Sequence, residues 1–502
     1  MDIFILLPIF LPAAAGILLL ISSFADHIRG KGDTIIVGSK AELELEIYYC
    51  ALFGICVVFA LLAVWTGNHS MELFELLEGI PVYFRVDGLS RMYVTIISVI
   101  WGIIGVYSLV YMEHEGEEKR FYGFFFLAYG VLVALSLAGN LVTMYLFYEM
   151  MTLTTVPLVL HNGSREAIMA ALKFLFYSMC GAYLGLFGIF YMYRYCDTLT
   201  FVEGGSLNMT LVQGHEGILL IAVFAAIIGF GAKAGLFPLH AWLPTAHPVA
   251  PSPASALLSG TIVKFGVLAI IRVVYYVVGA DFLRGTWVQT AWMSLALLTV
   301  FMGSMLAYRE KVFKKRLAYS TVSQISYILF GLAVMEQQAL SGALLHVVFH
   351  AFIKCTLFMT AGIFIIETGK KRVDEYRGIG KQMPKTLWCY TFASLALIGI
   401  PPTSGFISKW YLAEGALSAD IGIFSWLGPV VLLVSALLTA GYLLPVTMNG
   451  FFPGEGFAKV EVKEPPARML VSLIIFAAIA VIFGIFPNPV LRYVNGIAAG
   501  LI

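Results

Sequence analysis

The sequence predicts an all-α integral membrane protein with about 14 transmembrane helices, and three observations support that fold class. Of the 502 residues, 60% are hydrophobic and only 12% are charged, and the mean hydropathy is +0.89; soluble domains carry about 25% charged residues. Apolar runs of about 20 residues, long enough to cross a bilayer, recur along the chain. Lysine and arginine cluster in alternate connections between these runs. The net charge of +1 gives no reason to expect nucleic acid as a partner.

The predicted spans follow one another without a long polar linker, so we expect a single membrane domain over 1–502. The first run follows Asp2 with no lysine or arginine before it. A secretory signal begins with positive charge, so this run is predicted to be a permanent span. The fourteen spans are 2–22, 47–66, 89–112, 121–138, 140–160, 166–193, 217–237, 254–278, 287–307, 316–335, 340–367, 385–410, 422–447 and 468–488.

The basic residues of the connections predict the orientation. Connections after odd-numbered spans hold 20 of the 31 lysines and arginines, and those on the other side hold five. Because positive connections stay in the cytoplasm, we expect a multi-pass protein of the cell membrane with both termini outside. The 20 are Arg29, Lys31, Lys40, Lys119, Arg120, Arg165, Arg309, Lys311, Lys314, Lys315, Arg316, Lys370, Lys371, Arg372, Arg377, Lys381, Lys385, Lys459, Lys463 and Arg468.

Six basic residues remain, and all of them fall inside predicted spans. A charge at that depth costs several kcal/mol even on lenient insertion scales, which makes function the expected reason for its presence. One acid and three histidines lie in the same interior stretches. The six are Lys173, Lys233, Lys264, Arg272, Lys354 and Lys409, and the others are Glu149, His240, His346 and His350. Functional use is expected for most of them. For Lys173 and Arg272 the alternative is that they neutralise a helix end or an acid, and for Arg272 a functional role is not favoured.

The two halves of the chain resemble each other. Segments 170–190 and 343–365 have the same pattern of small and aromatic residues, with Lys173 aligned to His346. Spans 4–8 and 9–13 are five helices each, and an odd number inverts the second copy in the membrane. The sequence therefore predicts two inverted five-helix repeats, over 121–278 and 287–447, an arrangement typical of transporters.

Prolines interrupt one helix in each predicted repeat, the seventh and the twelfth. Pro238 follows Lys233 in GLFPLHAWLP, and Lys409 follows the pair Pro401–Pro402. Proline removes a backbone donor, and the carbonyls it leaves must find protein or water inside the membrane. Lysines beside the breaks favour hydrated pockets, while kinks that serve packing alone stay an alternative.

Glu149 is the acid that the spans place near mid-membrane. A lone buried carboxylate takes up a proton, whereas a neighbouring lysine keeps it ionised. Separating such a pair releases a proton from the lysine, so Glu149 and a lysine can form a switch. A static ion pair is the alternative. Asp87, just before the third span, is expected to cap that helix.

His346, His350 and Lys354 are spaced i, i+4, i+8, which stacks them along one face of the eleventh span. A proton relay, histidines that only pack, and a metal site are the three interpretations, and the relay is preferred because lysine is a poor metal ligand. His240 and His247 flank the proline-rich turn as either relay or structural residues. The six cysteines form no CxxC pair, so no metal and no cofactor are predicted.

Six motifs together resemble the antiporter-like proton-pumping subunits: the large membrane subunits of complex I, those of energy-converting hydrogenases, and the large subunits of Mrp-type cation/proton antiporters. The motifs are KAGLFPLHAWLPTAHPVAPSPASALLSGTIVKFG, FRVDGLS, LFYEM, KRLAYSTVSQISYILFGL, LHVVFHAFIKCTLFMTAG and PPTSGFISKW. The resemblance implies a hydrated proton chain along the middle of the membrane, reached by a half-channel from each side. The matching residues are Glu149, Lys233, Lys264, His346, His350, Lys354 and Lys409.

The function expected from these observations is proton translocation by a membrane subunit of a larger complex, with Na⁺/H⁺ antiport left open. The expected path comprises Glu149, Lys173, Lys233, His240, Lys264, His346, His350, Lys354 and Lys409. The HxxxHAxxK run favours an Mrp D-type or hydrogenase-linked subunit, with a complex I subunit close behind. Expected partners are other membrane subunits, H⁺ and the lipid bilayer. A stand-alone transporter of a small solute is the alternative, and no catalytic centre of its own is predicted.

Overall fold

The computed structural model describes residues 2–28, 40–77, 79–455 and 462–502. Within these ranges, 13 helices are long and apolar enough to cross a membrane. The remaining predicted span, 385–410, is divided between two shorter helices, Pro384–Ile398 and Ser404–Ser418. The prediction of an all-α integral membrane protein is therefore confirmed. Of the residues used to predict orientation, Arg29, Lys31 and Lys459 lie outside the described residues.

The chain divides into two compact units. The first comprises Met1–Leu175 and Val249–Leu257, and the second comprises Phe176–Pro248 and Leu258–Ile502. The inverted repeat over 121–278 and 287–447 stays a prediction. In the first unit, a short 3₁₀ turn, Asp2–Leu6, precedes α1 (Leu7–Ile28), α2 (Lys40–Trp65), α3 (Gly88–Glu115), α4 (Glu118–Leu137), α5 (Leu141–Val159) and the start of α6 (Arg165–Tyr195).

The first unit also contains a hairpin that the sequence analysis does not assign. Strand β1 (Ser70–Leu77) pairs antiparallel with β2 (Ile80–Arg85), and Ser70 lies opposite Arg85. Asp87 then caps α3, as predicted: its carboxylate accepts from the Ser90 amide at 2.8 Å, and the Ser90 hydroxyl accepts from the Asp87 amide at 2.6 Å. This reciprocal arrangement satisfies backbone donors at the start of the helix.

Glycines allow α1 and α4 to approach closely. A Cβ added at Gly16 would lie 2.5 Å from the Gly123 carbonyl oxygen, and one at Gly130 would lie 2.6 Å from the Ile9 carbonyl oxygen. Apolar burial does not drive helices together in lipid, so small residues that admit backbone contact replace it.

The second unit contains the end of α6, followed by α7 (Met209–Val212) and α8 (Glu216–Ala234), and most of α9 (Leu243–Val249). The predicted eighth span is a compound helix: α10 (Ser252–Leu257, in the first unit), a π-helical segment Leu258–Ile262, α11 (Val263–Ile271) and a second π-helical segment Arg272–Val278. The later helices are α12 (Ala280–Leu283), α13 (Trp287–Arg309), α14 (Phe313–Val334), α15 (Gln337–Thr368), α16 (Pro384–Ile398), α17 (Ser404–Ser418), α18 (Phe424–Phe451), α19 (Ala467–Ile485) and α20 (Asn488–Leu501). Between α15 and α16 lie two 3₁₀ turns, Val373–Glu375 and Ile379–Lys381. Helix α20 was not predicted from the sequence.

Close contact between α6 and α8 positions one lysine of the predicted path. A Cβ added at Gly229 would lie 2.7 Å from the Gly185 amide nitrogen, and one at Gly188 would lie 2.7 Å from the Ala226 Cβ. These small residues bring the backbones together, and Lys233 lies one turn beyond Gly229 on α8.

Candidate functional site

The seventh predicted span is broken directly after Lys233. Helix α8 ends at Ala234, and Gly235 takes the left-handed conformation (φ 81°) that favours glycine and ends helices. The indole N–H of Trp242, beyond the break, donates to the Ala232 carbonyl at 2.9 Å. A helix end inside the membrane thus gains a protein donor, which such backbone requires.

Lys233 is fully buried at the end of α8. Its Nζ donates to the hydroxyl of Ser178 on α6 at 2.8 Å. A hydroxyl partner carries no formal charge, so this hydrogen bond favours the ammonium less than a carboxylate would. Ser178 was not among the residues predicted from the sequence.

Lys264 lies just after the π-helical segment Leu258–Ile262 and is also buried. Its Nζ donates to the Ser259 carbonyl of its own helix at 2.5 Å, and the Ser259 hydroxyl is 2.7 Å from the Thr321 hydroxyl on α14. A Cβ added at Gly260 would collide with the sulfur of Cys355 on α15. The π-helical turn therefore brings Lys264 close to α15, and such turns occur often at functional sites.

His346, His350 and Lys354 lie on the continuous helix α15, and all three are buried. The two imidazole rings stack with centroids 5.7 Å apart. His346 Nδ1 is 2.9 Å from the Ser408 hydroxyl, and its Nε2 is 3.1 Å from the Gln324 side-chain oxygen. Neither ring nitrogen of His350 has a hydrogen-bond partner within the described part of the chain. Buried polar atoms of this kind bind water where space allows.

Lys354 contacts the first turns of α14. Its Nζ donates to the Leu317 carbonyl at 3.0 Å and makes a short hydrogen bond to the Ser320 hydroxyl. Both partners are uncharged oxygens. Such partners stabilise an ammonium less than a carboxylate does.

The twelfth predicted span is broken between α16 and α17. Gly399 (φ 92°) ends α16, and Lys409 of α17 turns back to this end. Its Nζ donates to the carbonyls of Leu397 at 2.6 Å and Ile398 at 2.9 Å. It also lies 5.0 Å from the centroid of the Tyr327 ring. The carboxyl end of a helix carries partial negative charge, so the break itself holds the ammonium.

The remaining predicted residues occupy different surroundings. His247 is buried with its ring stacked on Phe358, centroids 4.6 Å apart, and His240 is half-buried and stacks on Phe237 at 5.9 Å. Glu149 on α5 and Lys173 on α6 are both half-buried and belong to the first unit.

Arg272 is buried between two aromatic rings, at 4.7 Å from the Phe201 centroid and 4.5 Å from the Tyr276 centroid. Arginine against aromatic faces is a stabilising contact. This position fits the alternative of a structural role for Arg272 and separates it from Lys354 and Lys409, which donate to hydroxyl and carbonyl oxygens.

Five of the predicted residues therefore lie around α14, α15 and α17 in the second unit: Lys264, His346, His350, Lys354 and Lys409. The structure also shows polar partners that were not predicted from the sequence. The added residues are Ser259, Ser320, Gln324, Tyr327 and Ser408. The run YSTVSQISY of α14 could have indicated these partners from the sequence, because so many polar residues in one apolar span need hydrogen-bond partners.

Comparison with known proteins identifies the family. Residues 138–454, more than half of the chain, match the family model described as NADH:quinone oxidoreductase/Mrp antiporter, TM. Residues 78–122 match NADH-Ubiquinone oxidoreductase (complex I), chain 5 N-terminus.

Two relatives illustrate the breadth of this family. The N subunit of the NADH-quinone oxidoreductase of Desulforudis audaxviator is 34% identical, over 92% of this chain and 95% of its own length. The D-type subunit of the Na(+)/H(+) antiporter of Alkalihalophilus pseudofirmus is 26% identical, over 98% of this chain and 96% of its own.

Solved structures share the fold. A chain of the membrane-bound sulfane sulfur reductase, an archaeal respiratory membrane complex, superposes with a TM-score of 0.82 at 20% identity, covering 100% of this chain and 98% of that one. A chain of the Mrp complex from Dietzia sp. DQ12-45-1b gives 0.78 at 19% identity, covering 100% and 97%. The chain is therefore a multi-pass membrane subunit that belongs to the NADH:quinone oxidoreductase and Mrp antiporter family.

Proposed function

We propose that this protein translocates protons along its buried and half-buried lysines and histidines, as part of a larger membrane complex. The observation that carries the proposal is the cluster of Lys264, His346, His350, Lys354 and Lys409 inside the second unit. Each of these side chains can bind and release a proton. Apolar residues would pack between membrane helices at a lower free-energy cost. Proton translocation is a function that explains why the chain carries this cluster.

The contacts of the cluster support movement of a proton toward Lys409. His346 bonds the hydroxyl of Ser408, the residue next to Lys409, and stacks on His350 one turn away. Lys354 lies one further turn along α15. The carboxyl end of α16 favours a positive charge at Lys409, so a proton that arrives there is held until the break opens to water.

The residues of the first part of the path are proposed from the chemistry of their side chains. We assign Glu149 as the acid whose pairing with a lysine sets the protonation of the chain, and Lys173, Lys233 and His240 as further residues of that part. The hydroxyl partner of Lys233 supports this assignment, because it leaves the ammonium able to give up its proton.

The assembly and its driving force are proposed from relatives. The names of these relatives describe parts of a quinone oxidoreductase and of a Na(+)/H(+) antiporter, so other membrane subunits are the proposed partners, and Na⁺ is proposed as a second ion of the antiporter alternative. The cell membrane is the proposed location, with both termini outside. Mass spectrometry of the intact complex, purified in mild detergent, distinguishes the two drives: iron–sulfur or nickel–iron partners mean a redox pump, and small membrane partners alone mean an antiporter.

The experiment that tests translocation uses inverted membrane vesicles containing the intact complex. Acridine-orange fluorescence reports proton movement after addition of Na⁺ or of the electron donor that the partners indicate. Glu149→Ala should abolish the signal while native gels still show the assembled complex. Ser326→Ala is the matched control, because that buried hydroxyl only bonds the Val322 carbonyl of its own helix. Normal proton movement in Glu149→Ala would rule out the proposed switch.

A further inference from the structure

Gln324 is a buried residue of α14 whose amide is bonded at one end only. Its side-chain oxygen lies 3.1 Å from Nε2 of His346 on α15, and the side chain is fully buried. Its side-chain nitrogen has no hydrogen-bond partner among the residues that the structure describes. Buried amide groups are normally hydrogen-bonded at both the oxygen and the nitrogen, so this arrangement needs an explanation.

Gln289 on α13 is also buried in the second unit and shows the fully bonded arrangement. Its nitrogen donates to the carbonyls of Ala333 at 3.0 Å and Val334 at 3.2 Å, and its oxygen accepts from the Gly285 amide at 2.8 Å. These backbone partners fix the orientation of the Gln289 amide. Within the described part of the chain, the Gln324 amide has only the His346 ring as a partner. It can therefore rotate by half a turn and present its nitrogen to that ring instead of its oxygen.

The other nitrogen of the His346 ring faces a hydrogen-bond acceptor. Nδ1 lies 2.9 Å from the hydroxyl of Ser408 on α17, and this hydroxyl donates its own hydrogen to the Gly405 carbonyl at 3.2 Å. The Ser408 oxygen is thus free to accept from an Nδ1–H group. When Nδ1 carries a proton, the neutral ring and the cationic ring differ only at Nε2, the atom that faces Gln324.

The two forms of His346 have opposite requirements at Nε2. The cationic ring has an N–H group there and requires an acceptor, which the Gln324 oxygen supplies in the orientation seen here. The neutral ring has a lone pair there and requires a donor, which the Gln324 nitrogen supplies after half a turn. A buried polar atom without its partner is costly. A glutamine amide therefore suits both forms of the ring, whereas a carboxylate suits only the cation.

We propose that Gln324 is a positioning residue of the proton path, whose amide rotates by half a turn each time His346 gains or loses a proton at Nε2. This inference rests on the proposed function and adds no new proton carrier. When the proton leaves, it passes from Nε2 to a neighbouring group of the path, and His346 changes from a cation to a neutral ring. Gln324 keeps all of its atoms and changes only its orientation.

Several titratable groups face His346 from four helices, and none of them hydrogen-bonds Nε2 within the described residues. Tyr327 and His350 stack on the ring with centroids 5.7 Å away in each case, and the two lysines interact with it electrostatically. Gln324 therefore remains the direct partner of Nε2. The four groups are Lys264 of α11, Tyr327 of α14, His350 of α15 and Lys409 of α17.

The test compares two variants at this position in vesicles containing the intact complex. Gln324→Met keeps the length of the side chain and removes both hydrogen-bonding roles, so proton movement should be about twofold to tenfold slower than in the wild type. Gln324→Glu keeps the size, but its carboxylate accepts hydrogen bonds and donates none. It should hold His346 as the cation through a charge-assisted bond and be slower than Gln324→Met by at least about tenfold. Native gels ensure that assembled complexes are compared.

Infrared difference spectra between two pH values supply a readout that a packing role would not change. They are recorded on the complex in native membranes containing isotope-labelled glutamine, which identifies glutamine C=O bands. The Gln324 band should shift when its oxygen loses the His346 N–H, and the shift should be absent in Gln324→Met. Gln289→Met is the matched control, because an amide bonded to the backbone at both ends keeps its orientation. Its difference spectrum should retain the shifted band.

Three results would overturn this inference. If Gln324→Glu is as fast as Gln324→Met or faster, a partner that cannot donate does not trap the proton, and the amide does not turn. If Gln324→Met keeps the wild-type rate, Nε2 needs no partner. If the wild-type spectra contain no shifted glutamine band, the amide keeps one orientation.

His346→Asn tests the proposed function separately in the same vesicles. A wild-type rate in His346→Asn would mean that the path does not run through this histidine, and the role of Gln324 would fail with it. A slow His346→Asn complex together with normal Gln324 variants would reject the role of Gln324 and leave the proposed function in place.

Discussion

The two broken helices of this protein use a lysine in different ways. At the first break, the Trp242 indole donates to the Ala232 carbonyl, and Lys233 donates to a hydroxyl on another helix. At the second break, Lys409 itself donates to the carbonyls of Leu397 and Ile398. The first break is thus stabilised without its lysine, whereas the second depends on it. A similar sequence pattern of proline and lysine therefore has two different structural meanings.

The difference has an electrostatic consequence. The carbonyls at the end of α16 attract positive charge directly, so Lys409 is held best when it carries a proton. Lys233 bonds a hydroxyl, which accepts from an ammonium and donates to a neutral amine equally well. We therefore expect Lys233 to exchange its proton without loss of structure, and Lys409 to be a site where a proton rests.

The largest expected effect is the same for both lysines and tests whether both belong to the path. Lys233→Met and Lys409→Met each remove a proton-binding group while keeping side-chain length. Proton movement in vesicles should fall by at least about a hundredfold in each, the loss typical of a missing proton-transfer group. Acridine-orange fluorescence measures this rate in assembled complexes. A Lys409→Met complex with the normal rate would mean that the path ends elsewhere.

Stability should separate the two lysines, and this is the second prediction. Lys409→Met leaves two carbonyls in the membrane without their donor, at about 1–3 kcal/mol each. Lys233→Met leaves the Ser178 hydroxyl, which can bond a carbonyl of its own helix instead. The midpoint temperature of the detergent-solubilised complex should therefore fall clearly in Lys409→Met and little in Lys233→Met. Equal shifts in the two variants would remove the distinction between the breaks.

Both breaks could be predicted from the sequence because their cause is local. Pro238 and the pair Pro401–Pro402 remove backbone donors inside apolar runs, and Gly235 and Gly399 supply the left-handed residues that end the helices. The spacing of the histidines placed them on one helix for the same reason.

The contacts of the site could not be predicted in the same way. The apolar run that contains the π-helical segment Leu258–Ile262 has no distinct hydrophobic period in the sequence. Lys264 was therefore predicted to lie inside the membrane, but its hydrogen-bond partner was not predicted. Ser320 and Ser326 look alike in the sequence, and both donate to a carbonyl of their own helix, yet Ser320 also accepts a hydrogen bond from Lys354. Whether a serine gains such a second partner depends on the neighbouring helix, and that information is not local.

The third prediction tests whether Trp242 replaces a lysine at the first break. Trp242→Phe removes the N–H that the Ala232 carbonyl accepts and should cost about 1–3 kcal/mol for a buried acceptor left without its donor, in addition to the loss of ring volume. Trp292→Phe is the matched control, because Trp292 is also fully buried and its indole N–H has no hydrogen-bond partner among the described residues. The midpoint temperature should fall further in Trp242→Phe. Equal losses would mean that only packing holds the break.

The smallest expected effect is that of Ser178→Ala, which removes the hydroxyl partner of Lys233. A single hydrogen bond to a charged group contributes about 1.5–3 kcal/mol, and the ammonium can recover part of this by turning to nearby water or carbonyls. Proton movement should therefore fall only about threefold to tenfold, while Ser178→Thr, which keeps the hydroxyl, should stay near the wild-type rate. A loss in Ser178→Ala as large as that in Lys233→Met would mean that Ser178 carries the proton itself, and the first break would then differ from the second in its proton carrier as well as in its stabilising contacts.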